Sequence, residues 1–208
     1  MYTRNNETET LIVGVYIDDL IVTSTTVEGI KEFKQQMMKE FEMTDLELLK
    51  YYLDIEVDQR KDCITRKQSA YSKKLLQQFK IAECNPIKYS IEAKLQLGKD
   101  AEGNLVNSTK YRLVIGSLRY LTHTRLNLSY VAGIMSRYME KPTMMHNQAV
   151  KQILRYVKTS TSYGLKYQRE WILEELVGFI DSDLARDIDD RKSTAGMTFY
   201  LNENLISW

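Results

Sequence analysis

Four consecutive residues, Tyr16-Ile17-Asp18-Asp19, carry the sharpest chemical signal in the chain. They lie between two short apolar runs rich in β-branched residues, TLIVGVY at 10–16 and LIVTS at 20–24. That pattern predicts two buried strands joined by a tight acidic turn. Adjacent carboxylates at a hairpin tip suit Mg²⁺, a hard cation that takes oxygen ligands. Two such ions about 4 Å apart stabilise the attacking and the leaving oxygen of an in-line phosphoryl transfer. The strands would hold the carboxylates rigid while the tip stays open to substrate. The plainer reading is structural: aspartate is a favoured turn residue, and an Asp pair in a turn commonly does nothing more.

A second signal is charge. The net charge of +1 hides an asymmetry: residues 103–169 hold eleven Lys or Arg and one acid, Glu140, while residues 170–208 hold nine acids and three basic residues. Seven of the fourteen tyrosines fall in the basic stretch. Basic groups with interleaved aromatics suit a nucleic-acid backbone; a solvated helical face over a tyrosine-containing core has the same composition. Lys151, Arg155 and Lys158 form a basic stripe opposite the apolar positions Ala149, Val150, Ile153, Leu154 and Val157. The two histidines, His123 and His146, have no partner at catalytic or metal spacing and read as structural. Cys63 and Cys84 have no CxxC spacing, so neither a zinc site nor a disulfide framework is expected, and a reducing interior is the default. No apolar run approaches the roughly 20 residues of a membrane span. The polar N-terminus has no apolar signal core behind it. Together these predict an intracellular protein, cytoplasmic or nuclear and not secreted, with no membrane partner.

These groups need elements to position them. Residues 27–41 place Ile30, Phe33, Met37 and Phe41 at helical spacing. Residues 49–57 and 63–66 read as a hairpin around Arg60-Lys61-Asp62, and 68–80 as a helix with Tyr71, Leu75 and Phe79 on one side. Residues 86–107 lack periodicity and read as a loop. Three helices follow over 109–123, 128–140 and 143–159, the last starting after Pro142 with Thr143 as N-cap. From Gly164 the pattern turns to strands, over 164–168, 175–182, 196–201 and 205–208, expected to form one terminal sheet.

The YIDDL segment at 16–20 resembles the Tyr-x-Asp-Asp metal-binding motif of reverse transcriptases. Further blocks are similar, in order, to copia-type retrotransposon Pol polyproteins: MTDLELLKYYLDIEV (43–57), QSAYSKKLLQQFKI (68–81), YRLVIGSLRYLTHTR (111–125), SRYMEKPT (136–143), HNQAVKQILRYVK (146–158), YGLKY (163–167), GFIDSDLARDIDDRKSTAG (178–196) and ISW (206–208). The resemblance implies an α+β fold in three parts: residues 1–100 from the C-terminal part of a polymerase palm with a primer-grip-like hairpin, 101–163 as thumb- or connection-like helices, and 164–208 as the start of an RNase H-like sheet. It implies an RNA-directed DNA polymerase with RNase H. Asp18 and Asp19 would be the palm's Mg²⁺-binding pair, Tyr16 the residue that opens the motif, and Asp181 the first RNase H carboxylate. The implied partners are an RNA template, a DNA primer, the RNA–DNA hybrid and the other parts of the polyprotein.

Departures from the family pattern matter equally. The chain starts just before the YIDD strand and stops at Trp208, so the other catalytic carboxylates of both sites are expected to be missing and the chain alone inactive. An uncovered palm edge would invite self-association. Glu47, Asp54, Ser160 and Arg186 stand where the family has glycine; Leu126-Asn127 replaces Pro-Asp, and Leu184 replaces Trp. Glycine positions often need a left-handed backbone or close approach, so bulky replacements indicate relaxed constraint, as in a decaying copy. A non-catalytic nucleic-acid-binding module is the rival reading.

Overall fold

The computed structural model describes residues 1–92, 97–99, 103–169, 175–182, 189, 191 and 193–208. Leu184 and Arg186 lie outside the described residues. Backbone contacts divide the chain into two compact units, Met1–Leu49 and Lys50–Trp208. Strands and helices come in separate runs rather than in alternation, as in an α+β chain. No helix among the described residues is long and apolar enough to cross a membrane.

The first unit is a three-stranded antiparallel sheet, β1 (Tyr2–Asn5), β2 (Thr10–Tyr16) and β3 (Asp19–Ser24), with helix α1 (Val27–Glu40) against β3. β1 is missing from the sequence reading because YTRN has no apolar alternation and is exposed throughout. Thr26 caps α1 by accepting from the Gly29 amide at 3.2 Å. Its hydroxyl also donates to Glu9 at 2.9 Å, and Ser24 donates to the same carboxylate oxygen at 2.8 Å. Glu9 thus ties the loop before β2 to the start of α1. Gly29 makes the room: a Cβ there would stand 1.3 Å from the Glu9 carboxylate oxygen. Phe41, expected on the apolar face of this helix, is instead its extended C-cap residue and is exposed.

The second unit opens with β4 (Tyr51–Tyr52), β5 (Ile55–Gln59) and β6 (Cys63–Lys67). Helix α2 (Ser69–Gln78) follows, and Glu56 caps it by accepting from the Ala70 amide at 2.7 Å. Then come α3 (Ser108–Leu121), a 3₁₀ turn (Leu126–Leu128), α4 (Ser129–Ser136), α5 (Met144–Thr159), β7 (Gly164–Gln168), β8 (Leu176–Ser182), β9 (Ala195–Leu201) and β10 (Asn204–Ser207). The core belongs to the helices: Leu75, Ile115, Leu118, Leu128, Met135 and Ile153 meet in one apolar cluster. α4 ends well short of the expected residue 140. Tyr138 turns inward instead, donates to the Leu97 carbonyl at 2.9 Å and stacks on His146 with ring centroids 4.1 Å apart.

One grouping is corrected. β7 does not join the terminal sheet. It pairs with β6, Lys67 opposite Gly164 and Cys63 opposite Gln168, to give the order β4-β5-β6-β7, while β8, β9 and β10 form a separate sheet. The physical reason is close approach at Gly164, where a Cβ would stand 2.3 Å from the Arg66 carbonyl oxygen. Only glycine lets the two backbones meet there.

Candidate metal-binding hairpin

β2 and β3 pair in register from Leu11 opposite Ser24 to Tyr16 opposite Asp19. Two residues, Ile17 and Asp18, make the turn. Directly opposed residues share a sheet face, so Tyr16 and Asp19 project together while Asp18 sits at the tip. φ is 52° at Ile17 and positive at neither flanking residue, which is the pattern of a II′ turn, where glycine is preferred first. A β-branched residue in this region is strained, and such strain concentrates at functional sites. All four residues of the motif are exposed.

Neither carboxylate has a hydrogen bond or ion pair among the described residues, so their oxygens are open to a cation. The donor set fits Mg²⁺ in kind, since a carboxylate pair with water or phosphate oxygens can complete an octahedron. It is sparse in number: among the described residues no group of three or more His, Cys, Asp or Glu could enclose a metal.

Asp181 lies on β8 opposite Gly196 of β9 and is exposed. Of the basic stripe on α5, Lys151 is exposed. Arg155 donates to the Asn85 carbonyl at 2.7 Å, and Lys158 donates to the Ala82 and Cys84 carbonyls at 2.5 and 2.9 Å. These two cations clamp the segment after α2 onto α5. His146 is fully buried in the first turn of α5, where its Nδ1 accepts from the Thr143 amide at 3.0 Å. Burial holds its imidazole below the ordinary value. That is a capping role, in line with the structural reading.

Sequence reading missed the second hairpin's tip. Leu53 and Asp54 have φ of 47° and 56°, a type I′ pattern joining β4 to β5. Tyr51 donates to Asp54 at 2.6 Å, and this bond, followed by burial, pushes its phenol up to about 12. The Tyr120 hydroxyl on α3 donates to the Leu53 carbonyl, fixing the tip to the helices. The one available signal was the glycine expected at 54.

Residues 1–93 match the family of reverse transcriptases, RNA-dependent DNA polymerases. The retrovirus-related Pol polyprotein from transposon RE2 of Arabidopsis thaliana is 31% identical over 93% of this chain. Over most of its length the chain is similar to copia-type retrotransposon Pol polyproteins. It covers 13% of the length of the RE2 polyprotein. The corresponding polyprotein from transposon TNT 1-94 of Nicotiana tabacum is 29% identical over 100% of the chain and 16% of its own length. An uncharacterized mitochondrial protein of A. thaliana is 29% identical over 93% of the chain, which covers 80% of that relative. No solved structure matches. The Asp18–Asp19 tip falls inside the residues matched by the reverse-transcriptase family, whereas Asp181 and the α5 stripe fall outside them.

Proposed function

We propose that this chain is a copia-type reverse-transcriptase segment whose hairpin supplies two metal-binding carboxylates for RNA-directed DNA synthesis, and that it does not synthesise DNA alone. The observation that carries the reading is the open Asp18–Asp19 pair at a strained two-residue turn. Asp18 and Asp19 would hold Mg²⁺, and that ion, when bound, would stabilise the charge on the reacting phosphate oxygens. Tyr16 flanks Asp19 on the same face, and the strained Ile17 sets the angle of the tip. Two carboxylates are fewer than a two-ion site needs, so further ligands come from elsewhere in a polyprotein, with the hairpin as one half of the site. Asp181 would serve a separate RNase H site in the same way. Glu47 and Asp54, charged side chains at left-handed backbone, support a copy under relaxed constraint.

The direct test is Mn²⁺ titration followed by NMR. Broadening should concentrate on the amides of residues 16–20 and vanish in the Asp18→Asn, Asp19→Asn double variant. Broadening that survives the double substitution rejects the hairpin as the site. In parallel, the chain should incorporate no nucleotide on a primed RNA template with Mg²⁺; incorporation abolished by Asp18→Asn would overturn the half-site reading.

The charge asymmetry supports a second reading, nucleic-acid binding through residues 103–169. Arg155 and Lys158 are engaged by carbonyls, so of the stripe Lys151 is the residue free to meet a phosphate. The salt-dependence slope should therefore fall by about one unit, not three, when all three are replaced by Ala, at about 0.9 per lost contact.

A further inference from the structure

The segment after α2 does more than cross α5. It borders a half-open cavity of about 810 Å³ against that helix, within the range of about 300–1,000 Å³ typical of small-molecule sites. Ile81, Cys84, Ile87, Tyr89 and Ile91 give it an apolar wall. Four hydrogen bonds pin that wall near one end: Arg155 to Asn85, Lys158 to Ala82 and Cys84, and the Thr159 hydroxyl to the Ile87 carbonyl at 2.7 Å. A wall fixed by its own carbonyls does not fold inward to fill the space. The polar lining comes chiefly from one face of α5, where Lys151 and Arg155 stand one turn apart with Gln148 and Gln152 beside them. Lys151 is exposed and makes no hydrogen bond or ion pair among the described residues. Glu92, the single acid in the lining, is not within ion-pair distance of either cation.

A half-open apolar cleft with two cations and one acid in its lining is complementary to a molecule that is apolar along its length and anionic at one end. We infer that this cavity is a binding site for a small amphipathic carboxylate, the apolar body lying against Ile81, Ile87 and Ile91 and the carboxylate meeting Lys151. The site is independent of the metal-binding hairpin and asks nothing of polymerase chemistry.

The two cysteines provide the readout. Cys84 lines the cavity and is half-buried, whereas Cys63 is buried in β6 and reports general unfolding. The full chain is treated with a thiol reagent, with dodecanoate or dodecylamine present below their micelle concentrations. Dodecanoate should slow modification of Cys84 severalfold and leave Cys63 unchanged; dodecylamine should protect far less. Lys151→Glu, a surface change that spares the fold, should weaken dodecanoate about fivefold, as expected for a rim ion pair. No protection of Cys84, equal protection by the amine, or an unchanged affinity in Lys151→Glu would each overturn the assignment. Accelerated modification of Cys63 by dodecanoate would overturn it too, because the acid would then be acting as a detergent.

Discussion

The two units solve the same problem, holding a functional surface in place, with different amounts of core. In Met1–Leu49 only Leu11, Val13 and Gly29 are buried, and hydrogen bonds that converge on Glu9 tie the end of β3 to the start of α1. In Lys50–Trp208 the helices bury Ile115, Leu118, Leu121, Leu128, Met135, Ile153 and Val157 completely. The candidate metal pair therefore sits on the unit with little apolar burial to resist opening, since local stability follows buried apolar contact. Adjacent carboxylates are easy to encode in a turn. Rigid carboxylates need neighbours behind them, and the first unit's own sheet supplies few.

The sharpest way to break that contrast is a matched core deletion. Leu118→Ala should destabilise the helical unit by about 2–5 kcal/mol, the range for a leucine removed from a closed core. Trp208 belongs to the second unit, where its indole donates to the Thr122 carbonyl at 3.1 Å, so tryptophan fluorescence in a urea titration follows that unit. Leu11→Ala should leave that transition in place while the amides of β2 and β3 lose hydrogen-exchange protection. If instead Leu11→Ala shifts the tryptophan transition as far as Leu118→Ala does, the units are not energetically separate.

Acid should also separate them. His146 titrates below its ordinary value of 6.5 because burial disfavours the cation. The unfolded chain therefore takes up a proton first, so the helical unit is at full stability above 6.5 and loses stability as pH falls below it. Glu9 and Asp45, in the first unit, are lowered instead: Glu9 by the Ser24 and Thr26 hydroxyls, Asp45 by Lys34. Their contribution is present above the ordinary carboxylate values and lost as pH falls through the lowered ones. The tryptophan-detected midpoint should thus fall between pH 7 and 5 while β2 and β3 amides hold until lower pH. His146→Gln can still accept from the Thr143 amide and should flatten that fall, at a cost of at most about 1–2 kcal/mol at pH 7. An unchanged pH dependence in His146→Gln would remove His146 as its source.

Local pattern made the hairpin over 10–24, α1 to α3 and α5 legible, because alternation and helical spacing are written in neighbouring residues. What escaped depends on distant partners. β1 has no apolar face of its own, and it exists because β2 offers an edge to pair with. β7 looked like the first strand of the last sheet, but Gly164 lets it meet β6, almost a hundred residues earlier in the chain. At the candidate site the carboxylates were readable, and the left-handed Ile17 was not, since nothing in YIDD demands a positive φ.

Arg125 tests how the denser unit tolerates a departure from the family pattern. Its side chain is 2% exposed, burial pulls its guanidinium down to about 10, and one nitrogen, Nη1, has no partner. The family's acid at 127 is an amide here, and Asn127 reaches Arg125 only at 3.5 Å. Asn127→Asp restores a counter-ion at the protein surface and should raise the stability of the helical unit by about 1 kcal/mol, a charge-assisted hydrogen bond at the lower end of its range. A fall in the urea midpoint would show that the Ser160 hydroxyl and the C-terminal end of α5 already satisfy the cation.

A last comparison sets two substituted glycines against each other, one in each unit. Glu47 and Ser160 both stand where the family has glycine, yet their backbones differ: φ is 61° at Glu47 and −115° at Ser160. Left-handed backbone costs a residue with a side chain about 1–2 kcal/mol, and glycine regains part of that while adding about 0.5–1 kcal/mol of unfolded-state entropy. Glu47→Gly should therefore stabilise the first unit slightly, by roughly 0.5 kcal/mol or less net of that entropy. Ser160→Gly should act in the opposite direction. The Ser160 hydroxyl accepts from Arg125 at 2.5 Å and donates to the Tyr156 carbonyl at 2.8 Å, all inside the buried end of α5. Removing it strips another partner from an under-bonded buried cation and should cost about 1–3 kcal/mol, the desolvation penalty of a group left without its partner. Opposite signs at the two positions would separate a glycine that the backbone required from one that the packing has outgrown. Equal gains at both would mean that Ser160 is strained in spite of its ordinary φ, and that Arg125 draws little from it.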